Sequence, residues 1–225
     1  MTHVLEETDR RLRGLMRDFA ASFSDGPVKS VAVVGNAPQE PSDERAKRID
    51  SCDLVFRVNS FWVDRPGEPA SHGTKVTAVV INRRVRATTG LFDDYRRRAY
   101  FLTEGGHVGF KKLRRYPTYW PSDLGAWPIP NRAVLAQLRH LLDPRGEVPD
   151  LVVPTTGMAA AYLAHLLFDE ADLVLTGFSF LTQPDQTSWT HHRGGTVPVA
   201  RGHYIALEGA LMQSWIDSGR AEFLS

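Results

Sequence analysis

Val31-Ala32-Val33-Val34-Gly35-Asn36 decides how the chain is read. It closes a segment running from Val28 to Val34 that is mostly β-branched, with Gly35 directly behind it. A run that is apolar on both faces and stopped by glycine fits a strand buried inside a parallel sheet, where helices cover both sides. Similar runs follow at Leu54-Val55-Phe56, Val76 to Ile81, Ala99 to Leu102, Leu151 to Val153 and Leu173-Val174-Leu175. Between them, Val85–Arg98, Asn131–Leu142 and Met158–Phe168 read as helices, and from His203 onward Leu207, Leu211 and Trp215 recur at four-residue spacing. Strands alternating with helices predict an α/β fold: a doubly wound parallel sheet in a single domain with helices on both faces.

Composition narrows the class. Of 225 residues, 42% are apolar and 24% charged, which is globular rather than disordered. Lys and Arg number 27 against 26 acidic residues, so net charge gives no pull toward nucleic acid or an anionic membrane. The single cysteine, Cys52, excludes an intramolecular disulfide and a cysteine-based zinc cluster. Leu12, Leu15, Met16, Phe19 and Phe23 form one apolar stripe on an otherwise charged segment, and Ser24-Asp25-Gly26-Pro27 ends it. The expected organisation is an amphipathic helix over 1–26 and one domain over 27–225. The N-terminus lacks the apolar core of a signal peptide. The longest uncharged stretch, Leu151 to Phe168, is broken by Pro154-Thr155-Thr156-Gly157 and is no membrane span, so a soluble cytoplasmic protein is expected. Arg115 to Pro130, with Tyr116, Tyr119, Trp120 and Trp127, reads as a long aromatic loop that either lids a pocket or packs on the domain.

Ligands of open α/β sheets bind at the carboxyl ends of the strands. The residues there are Gly35-Asn36-Ala37-Pro38, Arg57-Val58-Asn59, Asn82, Pro154-Thr155-Thr156-Gly157 and Thr176-Gly177-Phe178. Together they make a neutral hydrogen-bonding rim, and Thr155, Thr156 and Gly157 open a helix whose free N–H groups favour a phosphate. Each piece alone is equally a turn or an N-cap; their coincidence at one sheet edge argues for a site. Gly35-Asn36-Ala37 lacks the later glycines of the dinucleotide fingerprint, and no Walker sequence occurs. His191, His192 and His203, with Glu208 five residues further on, supply acid/base groups or, alternatively, a zinc set of no standard spacing. By the same test His3, His72, His107, His140 and His165 look ordinary. No Asp-x-Asp occurs, which argues for a leaving group that needs no metal; a nucleoside monophosphate fits.

These residues carry a resemblance. Val31 to Asn36, Ile49-Asp50 and Asp53 to Asn59 resemble the large sialyl motif of the sialyltransferases of glycosyltransferase family 29, and His72-Gly73-Thr74-Lys75-Val76-Thr77 is similar to its tail. Pro154 to Met158 with Asp172 to Phe178 resembles the small motif. His191-His192 stands where the third motif's His-Tyr is expected, and His203-Tyr204-Ile205-Ala206-Leu207-Glu208 reproduces the His-x4-Glu of the last. The chain thus resembles a short bacterial-type member of that family, with Thr155 in place of the usual Ser.

The resemblance implies a Rossmann-like, GT-A-like fold and a metal-independent inverting transferase. A CMP-activated sugar would be donor, a small-molecule or glycan hydroxyl the acceptor, and no further cofactor would be needed. It implies that Asn36 and Asn59 contact the nucleotide's phosphate and ribose, that Thr155, Thr156 and Gly157 hold ribose and phosphate, and that Gly177 and Phe178 line the cytosine pocket. His203 would be the general base, and His192 or His191 would bind the leaving phosphate. The family's animal members carry a membrane anchor and a disulfide between the large and small motifs; a chain with neither matches a cytosolic enzyme. One competing reading is a hydrolase that admits water in place of the acceptor. Another is a nucleic-acid module built on Arg83-Arg84, Arg86, Arg96-Arg97-Arg98 and Lys111 to Arg115, a run that Asp93 and Asp94 interrupt. A binding protein without activity would not need to keep both His203 and His192.

Overall fold

The computed structural model describes residues 2–82, 85, 88, 90–103, 118–148, 154–192, 194–200 and 202–225. Seven parallel strands form its centre: β1 (Ser30–Val34), β2 (Leu54–Val58), β3 (Ala78–Ile81), β4 (Ala99–Leu102), β5 (Trp127–Pro128), β6 (Asp172–Thr176) and, after a two-stranded hairpin of β7 (Ser188–Thr190) and β8 (Thr196–Pro198), β9 (Ala221–Leu224). Their order is β5-β4-β3-β2-β1-β6-β9. The chain therefore winds outward from β1 to β5, returns to β6 on the other side of β1, and reverses direction between those two strands.

Side chains alternate across the sheet, as the two-residue period of a strand requires. Val31, Val33, Leu54, Phe56, Leu173 and Leu175 join one core with α1 (Thr2–Ala21), α3 (Ala136–Leu142), α4 (Thr156–Leu167) and α5 (Ile205–Asp217). Ala32, Val34, Val55 and Val174 face the other way and meet Ile49 of α2 (Asp43–Asp50). On that second face, Val79, Ile81, Tyr100 and Leu102 are covered by loops through Phe61, Leu91 and Trp120. The amphipathic N-terminal helix is part of the main core: Met16 and Ala20 are fully buried, and the Phe19 ring lies 5.9 Å from Phe101 and 5.7 Å from Trp127.

Most expected elements are present with shifted ends. β3 starts at Ala78 because the Thr77 hydroxyl enters the ladder, accepting from Val55 N at 2.7 Å. The helix expected over 131–142 is a π-helical turn at Asn131–Leu135 running into α3. The strand expected at Leu151 to Val153 lies outside the described residues.

The helix expected over Val85–Arg98 is not formed by the described part of that stretch, which holds only one 3₁₀ turn, Tyr95–Arg97. Gly90 at φ +99° and Asp94 at φ +48° interrupt it, and Arg98 Nη1 and Tyr100 Oη tie its ends to Gly90 O and Leu91 O, each at 2.7 Å. Residues 86, 87 and 89 of that expected helix lie outside the described residues, as do 83, 84, 86 and 111–115 of the basic run and 115–117 of the aromatic loop. The remainder of that loop packs on the domain: Trp120 is buried against Phe92 at 5.8 Å, and Tyr119 Oη donates to Val85 O at 2.6 Å. Beside the short β5 and the β7–β8 hairpin, α2 and β9 were not anticipated. α2 is strongly polar and starts on an N-cap, Ser42, that accepts from Arg45 N at 3.2 Å. β9 extends the sheet with a strand of which only Ala221 is buried.

Candidate functional site

The reversal between β1 and β6 opens a crevice at the carboxyl ends of the strands, the usual ligand position in such sheets. Its floor is two glycines in contact. A Cβ on Gly35 would stand 2.8 Å from the Gly177 carbonyl carbon and closer still to its oxygen, and one on Gly177 would stand 2.6 Å from Gly35 O. Gly35 N donates to Thr176 O at 2.8 Å and Ala37 N to Gly177 O at 3.0 Å, so the two strand ends are laced together. Gly177 also has φ +71°, a conformation that favours glycine.

Above this floor lies a cavity of about 240 Å³ lined by Gly35, Asn36, Asn59, Thr155, Thr156, Gly157, Gly177, Phe178, His191 and His203 among others. All ten are strand-end or histidine positions singled out in the sequence. His192 is not among the lining residues; its ring meets His72 edge to face, with centroids 4.1 Å apart. Among the described residues the lining includes no Asp, Glu, Lys or Arg, and its titratable side chains are the two histidines.

Several lining residues are held by hydrogen bonds. Asn36 Nδ2 donates to Val58 O at 2.9 Å. Asn59, in the left-handed region at φ +48°, accepts at Oδ1 from both the backbone and side-chain nitrogens of Asn82 at 3.2 Å, and Asn82 Nδ2 reaches Thr156 Oγ1 at 3.4 Å. Thr155 caps α4, its hydroxyl oxygen accepting from Met158 N at 3.0 Å. The same hydroxyl donates to Glu208 Oε2 at 2.6 Å, while Thr155 N donates to Glu208 Oε1 at 2.8 Å. The first-turn amides of Thr156 and Gly157 have no acceptor within the helix, which leaves the positive end of α4 at the cavity. Gly157 leaves room for Phe178: a Cβ there would be 2.9 Å from Phe178 Cε1.

Glu208 is completely buried, and burial pushes its carboxyl up to about 7 against the lowering effect of the two Thr155 bonds. His72 is held down to about 4, chiefly by burial and then by the positive charges of His192, Arg57 and Arg45, with Asp64 opposing.

Several contributors went unread in the sequence. The β7–β8 hairpin brings Trp189 and Val197 over the cavity, and Phe180 lines it as well, 6.2 Å from the Trp189 ring. Two strands of three residues give little periodic signal; the only cue was Gly194-Gly195, whose φ values of +89° and +90° turn the hairpin. His72 looked ordinary because its partner stands 120 positions away. Beyond the Gly177-Phe178 turn lies a second cavity of about 590 Å³, lined by Gln39, Arg45, Ser179, Gln183 and Gln186 among others. Gln39 Nε2 donates to Thr176 Oγ1 at 2.5 Å and leaves its buried Oε1 without a hydrogen bond, as Gln186 leaves its Nε2. Among the described residues no three His, Cys, Asp or Glu side chains gather to hold a metal ion. Among the described residues no helix is long and apolar enough to cross a membrane.

The architecture is that of the sialyltransferase fold. A mammalian sialyltransferase solved in complex with Gal-β1-3GalNAc-ortho-nitrophenol superimposes with a TM-score of 0.57 at 17% identity, over 92% of this chain and 77% of that one. A second structure of a mammalian sialyltransferase gives 0.56 at 16% identity, over 92% and 76%. No protein-family model and no curated protein sequence matches the chain.

Proposed function

We propose that the chain is a CMP-sugar-dependent glycosyltransferase of sialyltransferase type that transfers the sugar to a hydroxyl acceptor with inversion. The observation that carries this reading is the meeting of Asn36, Asn59, Thr155–Gly157, Gly177, Phe178, His191 and His203 around one crevice at the β1–β6 reversal. The fold shared with two sialyltransferases supports it, and the domain is GT-A-like in this reading.

The nucleoside monophosphate sits with its phosphate at the N-terminus of α4, where free amides and the helix dipole offset its charge. Asn36, Asn59 and the Thr155–Gly157 turn hold ribose and phosphate. The base passes Gly177 and Phe178 toward the second cavity, where Gln39 and Gln186 offer an amide acceptor and an amide donor to a base edge that carries both.

His203 accepts the proton of the acceptor hydroxyl as its oxygen attacks the anomeric carbon. The bond from that carbon to the phosphate oxygen breaks through an oxocarbenium-like transition state, and CMP leaves with the electron pair. His191, the member of the histidine pair that lines the cavity, donates a hydrogen bond to the departing phosphate. In this reading imidazole and helix amides balance the charge on the leaving group, and turnover needs no divalent ion.

The test is product analysis with CMP-sialic acid in EDTA, offering both a Gal-β1-3GalNAc glycoside and small hydroxylic acceptors. A sugar–acceptor conjugate with inverted configuration is expected. Free sugar alone makes the chain a hydrolase, and no consumption of any CMP-sugar defeats the reading.

A further inference from the structure

His72 lies outside the cavity, yet its imidazole is only 3% exposed and is tightly seated. The loop that carries it is pinned by Asp64, whose carboxylate accepts from the backbone N–H groups of Ser71 at 2.9 Å, His72 at 3.0 Å and Gly73 at 2.7 Å. Asp50 does the same one step on, accepting from Thr74 N and Lys75 N at 2.9 Å. The His72 Nδ1 stands 4.0 Å from Asp64 Oδ1, and its buried Nε2 makes no hydrogen bond. A group fixed this firmly whose ring nitrogen is left unbonded is placed for its shape.

What it touches is His192, edge to face, with centroids 4.1 Å apart and ring planes at 64°. His192 N also donates to Asn36 O at 3.1 Å, which ties this residue to the floor of the site. His191, one position earlier, enters the cavity, and its backbone is closed into a tight turn by bonds to Gly194 and Gly195 at 2.9 and 3.3 Å. Successive side chains leaving a strand end diverge. Seating His192 on His72 therefore fixes the direction of His191.

We propose that His72 is a positioning residue of the nucleotide site: its pinned ring is the seat of His192, and that contact holds His191 against the leaving phosphate. The inference rests on the reading of His191 as the phosphate-binding group. The groups that face His72 keep the seat uncharged. Arg57 from β2, Arg45 from α2 and His192 from the hairpin all oppose a proton there, and only Asp64 favours one. A neutral ring packs against His192 without repelling it.

Calorimetric titration of the full chain with CMP tests the proposal. His72→Ala is expected to weaken CMP about tenfold, the size of effect expected when a binding group is displaced by a fraction of its reach. His72→Phe, which keeps a flat ring and needs no hydrogen bond, is expected to restore most of the loss. In a His191→Ala background, His72→Ala is expected to cost nothing further, since both changes remove the same contact. Wild-type affinity in His72→Ala, or additive losses in the double variant, overturns the proposal. If His72→Ala does not fold, His192→Ala carries the same two expectations from the other ring. An unchanged affinity in His191→Ala, or no CMP binding by the wild type, is a failure of the phosphate reading itself and takes the proposal with it.

Discussion

Thr155 and Glu208, 53 residues apart, are joined by two hydrogen bonds: the buried carboxylate accepts the backbone N–H at 2.8 Å and the hydroxyl at 2.6 Å. The same threonine caps α4, so Glu208 on α5 fixes the entry angle of the helix whose N-terminus faces the cavity. The carboxylate acts on the site through Thr155 rather than by lining it.

Thr155→Val removes the cap and leaves a buried carboxylate oxygen without its donor. A lost N-cap costs about 1 kcal/mol and an unpaired buried acceptor about 1–3 kcal/mol more. Urea denaturation is expected to show a total loss of about 2–4 kcal/mol, while Thr155→Ser, which keeps the hydroxyl, stays close to wild type.

Stability should depend on pH through two buried groups of opposite sign. Glu208 is raised in the folded chain, so its contribution is complete below pH 4.5 and is lost as pH rises through about 7. That swing is on the order of 3 kcal/mol. His72 is lowered, so its contribution is complete above pH 6.5 and is lost as pH falls through about 4. Between those limits the two slopes oppose one another. Thermal unfolding of Glu208→Gln is expected to expose the His72 slope, with stability falling toward acid, and His72→Phe the reverse.

The Gly35–Gly177 contact leaves no room for a methyl group on either side. Backbone cannot yield as a flexible side chain does, so Gly35→Ala or Gly177→Ala is expected to cost at least ~3 kcal/mol and to abolish CMP binding. Gly146→Ala is the control: it shares a positive φ, +67°, but meets nothing within 4 Å, and should cost only about 1 kcal/mol. Equilibrium denaturation of the three variants makes the comparison.

The two cavity histidines should separate by assay. His203→Ala is expected to lower turnover by roughly 10²–10⁴ while CMP still binds, as removal of a general base does. His191→Ala is expected to weaken CMP itself. Steady-state kinetics beside CMP titration reads both, and normal turnover in His203→Ala would remove that residue from the role of base.

The sequence by itself determined five of the strands, β1 to β4 and β6, and the edge of the sheet at which to look. Runs such as Val31–Val34 and Leu173–Leu175 are apolar on both faces, and only burial between layers accommodates them. The residues that follow such strands, Asn36, Asn59 and Gly177, are then carried to the strand ends by the geometry of a parallel sheet, which is why they could be named in advance. The tertiary structure decided what local pattern does not encode. α2 and β9 draw their stability from caps and from a neighbouring strand rather than from an apolar period of their own. Of the two adjacent histidines, His191 faces the cavity and His192 turns to His72, a choice made by a contact across 120 residues. Glu208 reaches Thr155 for the same reason: packing two distant segments in one core sets which polar groups must satisfy each other.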